Sequence, residues 1–119
     1  MKKTILVVED DAGRRKAMVD VLTAAGYDVI AGEDFEAALQ TVDRFGVDVM
    51  ISDLQLSTAT PHGRALARMA QRKRSPLKLL FVSRVPVVPD RASAQPGNVL
   101  PMPLDRTALL AKVRSLLAN

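Results

Sequence analysis

No cysteine occurs among the 119 residues. That excludes disulfides and any thiolate-held metal. Histidine occurs once, as His62, which leaves no set of imidazoles for a zinc site. Aromatic side chains are scarce, three Phe and one Tyr, a thin supply for stacking on nucleic-acid bases. No apolar run approaches the roughly 20 residues of a membrane span. Met1-Lys2-Lys3 leads into a strand pattern only a few residues long, too short for a signal peptide, so a cytoplasmic location is expected. Internal repeats, linkers and low-complexity tails are missing too.

What is present is apolar, 48% of the chain, so disorder is not expected. The length suits a single domain over 1–119, long enough to bury roughly two-thirds of its unfolded surface. Net charge is +4, with basic clusters at Arg14-Arg15-Lys16 and at Arg64, Arg68, Arg72, Lys73 and Arg74. Both clusters fall on predicted helices. A solvated basic face is the plain reading of such clusters, and nucleic acid is not the expected partner.

The central stretch is Val47–Asp53, an apolar run closed by a carboxylate. It reads as a strand buried between two layers of helix. A second strand, Thr4–Val8, ends in Glu9-Asp10-Asp11. In chain order, Ala12–Ala25 is predicted as a helix, with Ala17-Met18, Val21-Leu22 and Ala25 as its stripe and Gly26 as its cap. Tyr27–Ala31 is a strand. Phe35–Phe45 is a helix with Phe35, Ala38-Leu39 and Val42 on one face, Asp34 as N-cap and Gly46 as its end. Leu54–His62 reads as a loop, and Gly63–Arg74 as a helix with Leu66, Met69 and Ala70 inward, broken by Ser75-Pro76. Leu77–Ser83 is the fourth strand, Arg84–Gly97 irregular and Asn98–Met102 the fifth strand. Asp105–Leu117 is the last helix, with Asp105 as N-cap.

Strands alternating with helices imply a doubly wound, five-stranded parallel α/β sheet. The order 2-1-3-4-5, the flavodoxin-like arrangement, fits. Strands 1 and 3 then adjoin, and the chain leaves them toward opposite faces. That switch point would hold Glu9, Asp10 and Asp53 together. Two like charges about 4 Å apart repel by on the order of 4 kcal/mol at an effective dielectric of 20. A hard divalent cation, Mg²⁺ or a relative, offsets this. A carboxylate beside such an ion can act as a nucleophile toward phosphorus. The competing reading is an acidic rim without metal. Ser83 ends strand 4, where its hydroxyl either reaches a phosphoryl group on Asp53 or simply caps the strand.

Three motifs, Ile5-Leu6-Val7-Val8-Glu9-Asp10-Asp11, Asp48-Val49-Met50-Ile51-Ser52-Asp53-Leu54 and Phe81-Val82-Ser83, make the chain resemble a receiver domain of the two-component response regulators. The resemblance implies that Asp53 accepts a phosphoryl group from a histidine kinase or phosphotransfer protein. It implies Mg²⁺ as cofactor, held by Asp10, Asp53 and the backbone carbonyl of Gln55, with Glu9 completing the acidic pocket. Ser83 becomes the switch hydroxyl, and the module signals rather than catalyses.

The departures from the family pattern sit in the phosphate grip and the output face. Met102-Pro103 stands where receivers carry Lys-Pro, and Val99 where the aromatic switch residue usually sits. After the phosphoacceptor, Ser57 replaces a Pro, and a Gly comes two places late at Gly63. Pro86 and Pro89 leave only about Asp90–Gln95 for a fourth family helix, too little to be stable alone, so no phosphorylation-driven dimer is expected through it. Three functions compete: an atypical receiver, a degenerate receiver used as a phosphorylation-independent interaction module, and a Mg²⁺-dependent phosphohydrolase. The last lacks a second base close after Asp53. Output is expected to pass through an unidentified effector protein, unless the chain is cut from a longer one.

Overall fold

Five short apolar runs, each too short for a helix, pair side by side. The computed structural model describes residues 2–33, 35–53, 63–73, 76–83, 99–101 and 104–118. The strands are β1 (Thr4–Val8), β2 (Asp28–Gly32), β3 (Val49–Asp53), β4 (Lys78–Ser83) and β5 (Val99–Pro101). The helices are α1 (Ala12–Ala24), α2 (Phe35–Phe45), α3 (Gly63–Lys73) and α4 (Arg106–Leu117). All pairings are parallel, in the order β2-β1-β3-β4-β5 predicted from the β-α alternation.

Alternation along the strands feeds two cores. Ile5, Val7, Val49 and Ile51 pack with Met18, Leu22, Leu109 and Val113 of α1 and α4. Leu6, Val8 and Met50 pack on the other face with Ala38, Val42 and Ala70 of α2 and α3. Burying each such side chain contributes about 1.5–3 kcal/mol. Every residue of β3 is buried, as its two-sided cover requires. Pro101 lies on β5, an edge strand, where a residue without an N–H is tolerated.

The element ends differ from the sequence expectation for local reasons. Gly26, at φ 97°, closes α1: its N–H donates to the Thr23 carbonyl, and the Tyr27 N–H donates to that of Leu22. This double closure uses up the Tyr27 donor, so β2 starts at Asp28 rather than Tyr27. β3 starts at Val49 rather than Val47. Just before it, the Asp48 N–H donates to the Thr4 carbonyl, its side chain accepts the Thr4 N–H, and its carbonyl accepts from Lys78. Ala17 and Ala25, placed on the inward stripe of α1, are exposed. Ala17 lies about 100° around the helix from Met18, and Ala25 falls past the last turn. Met69, expected inward, is 41% exposed for the same reason: it sits one residue, about 100°, from the buried Ala70.

Several expectations fall outside the described residues. They are the Asp34 cap, the Leu54–His62 loop, the irregular segment 84–97 with its shortened helix, and Met102-Pro103. The side chains of Phe35 and Leu66 are outside as well. No helix among the described residues is long and apolar enough to cross a membrane.

Candidate functional site

Parallel pairing in register sets the ends of β1, β3 and β4 side by side. Val8 pairs with Ser52, and Asp53 with Val82. The residues that follow or close these ends, Glu9, Asp53 and Ser83, therefore gather at one edge of the sheet, all buried. Glu9, Asp10 and Asp53 each bring a ligand oxygen to within 4.8 Å of the others. These are three of the residues singled out in the sequence, and they come from the two strands that flank the switch point. The donor set is all hard carboxylate oxygen, which fits Mg²⁺ and not a soft metal. Ser83 stands at the end of the adjoining strand. Gln55 and Met102 lie outside the described residues.

The third residue of the acidic triplet does something else. Asp11 is the N-cap of α1, its carboxylate accepting the Arg14 N–H at 2.8 Å. The cap fixes the first turn of α1 directly beyond the pocket. That turn carries no acid and two arginines, which opposes the helix dipole. The reason is tertiary. Arg14 Nε donates to Glu9 Oε1, and Arg15 Nη1 donates to the Glu9 carbonyl at 2.9 Å. Arg15 also lies 3.9 Å from Glu33. The solvated-face reading of Arg14-Arg15-Lys16 therefore needs correction. Only Lys16, 75% exposed and paired with Asp20 on its own helix, matches it.

Glu9 carries the electrostatic strain of the site. Burial pushes its carboxyl up from an ordinary 4.5 to about 7. The Arg14 hydrogen bond pulls the other way, and the neighbouring Asp53 carboxylate pushes up again. Arg14 is in turn held more firmly in its charged form by Glu9. One guanidinium against three carboxylates still leaves the pocket net negative when all are ionised. Sequence reasoning missed Arg14. The signal was a cation in a helix's first turn, where local preference asks for an acid.

Comparison with known proteins agrees with this fold. The family model for the response regulator receiver domain matches residues 5–114. The transcriptional regulatory protein GlrR of Escherichia coli is 30% identical over 108 residues, 88% of this chain but 24% of that protein. This chain thus spans about a quarter of that curated relative. The response regulator receiver protein CpdR of Brucella abortus is 26% identical and covered over 97% of both chains. A crystal structure of a response regulator receiver protein from Sinorhizobium medicae superposes with a TM-score of 0.87 at 23% identity, over 98% of this chain and 95% of that one. With its sheet order, its paired acidic strand ends and this match over most of its length, the chain belongs to the response regulator receiver domains of two-component signalling.

Proposed function

We propose that this receiver accepts a phosphoryl group on Asp53, with Mg²⁺, and passes its state on by protein–protein contact. The convergence of Glu9, Asp10 and Asp53 within 4.8 Å carries the reading. Asp10, Asp53 and the Gln55 carbonyl would hold the ion, with Glu9 beside them. Bound there, it supplies positive charge against the oxygens of the transferring group. An Asp53 carboxylate oxygen attacks phosphorus as the donor's N–P bond breaks. The leaving imidazole takes up a proton. With acetyl phosphate, a P–O bond breaks instead and acetate leaves. The Ser83 hydroxyl donates to a phosphoryl oxygen. The whole chain acts as one domain, and its partners are a histidine kinase or phosphotransfer protein on one side and an effector on the other.

A second reading, an interaction module that works without phosphorylation, is favoured by two features. Met102 lacks the ammonium of the family's Lys, and Arg14 already supplies a cation to Glu9. Intact mass after incubation with acetyl phosphate and Mg²⁺ decides. A gain of one phosphoryl group, absent in Asp53→Asn, is the expected outcome. No gain in the native chain would favour the second reading. Met102→Lys is expected to speed the reaction, since a hydrogen bond to a charged group contributes about 1.5–3 kcal/mol. An unchanged rate would mean that the missing ammonium is not limiting.

A further inference from the structure

We propose that Arg14 is a tethered cation that competes with the divalent metal for the acidic pocket, so that guanidinium pairing and metal binding oppose each other. The inference rests on reading the pocket as a metal site. Both oxygens of Glu9 are engaged: Oε1 by Arg14 Nε, and Oε2 by the Asp10 N–H at 3.1 Å. Glu9 is fully buried, so its charge is met by whatever lies against it. Arg14 keeps 29% of its side chain in solvent and can swing out, while its backbone is fixed by the Asp11 cap. Asp10 and Asp53 share the pocket with Glu9. A metal there would sit a few ångströms from the guanidinium, and like charges in a poorly solvated site repel strongly. The local sequence points the same way. Cations in the first turn of α1 cost helix stability, and the ion pair of Arg14 with Glu9 offsets that cost.

The test is calorimetric titration of the full chain with MgCl₂ at low ionic strength and about pH 8, where Glu9 is ionised. Arg14→Gln and Arg14→Met are compared with the native chain and with Asp10→Asn. Circular dichroism confirms that each is folded, and each melting temperature is recorded with and without Mg²⁺. Both Arg14 variants are expected to bind Mg²⁺ about fivefold or more tightly than the native chain. They should also melt lower without the ion and gain more from adding it. A merely structural role for Arg14 predicts weaker or equal binding, never tighter. If Asp10→Asn weakens binding but the Arg14 variants match the native affinity, the competition is disproved and the metal site stands. If neither the native chain nor the Arg14 variants bind Mg²⁺, the metal site and the competition both fail. Binding in the Arg14 variants alone would show the competition at its strongest.

Discussion

A carboxylate raised to about 7 makes Glu9 a titrating group near neutral pH. Its folded value lies above the unfolded one, so the protonated form is the one that folding favours. That contribution is fully present below about 4.5 and is lost as pH rises through about 7. Arg14, which faces Glu9, stays charged throughout, and the neighbouring Asp53 opposes ionisation. In metal-free buffer, the native chain is therefore predicted to lose melting temperature relative to Glu9→Gln between about pH 5 and pH 8. Parallel curves for the two proteins would refute this. The position of Glu9 was legible, because the apolar run of β1 stops one residue before it. Its raised pKa was not, because burial and the approach of Asp53 are tertiary facts.

Helix caps show where local signals suffice and where they mislead. Asp105 precedes a clean helical stripe, and the structure makes it the N-cap of α4, accepting from the N–H groups of Thr107 and Ala108. Asp105→Ala should cost about 1 kcal/mol, a fall of roughly 4 °C in melting temperature. A change under one degree would mean that solvent replaces the cap. Asp11 is an equally good cap, but as the last member of an acidic triplet it carried no separate sign of that role. The strands were readable from apolar runs, and their order from the alternation of those runs with helices. The first residues of β2 and β3 were not, because the Tyr27 N–H and the Asp48 side chain are claimed by neighbouring structure. Met69 shows the limit of a stripe drawn one residue too wide.

At the scale of the molecule, two strands carry the design. β1 and β3 lie side by side in the sheet interior, each with partners on both edges, whereas β2 and β5 have one partner apiece. Amides of β1 and β3 are thus expected to exchange hydrogen only through global opening, and those of β5 much faster. Equal protection in β3 and β5 would contradict the layout. The reciprocal bonds between Thr4 and Asp48 join residues 44 apart in sequence. β1, made before β3, must therefore wait for it before its inner edge is satisfied, a long-range closure of the kind that slows folding. On the ribosome the nascent chain can hold helix, but it has no paired β1 and β3 until residues 49–53 have emerged. The acidic pocket spans those same two strand ends, so it comes into being in the step that locks the sheet, and a half-made chain offers no partial version of it.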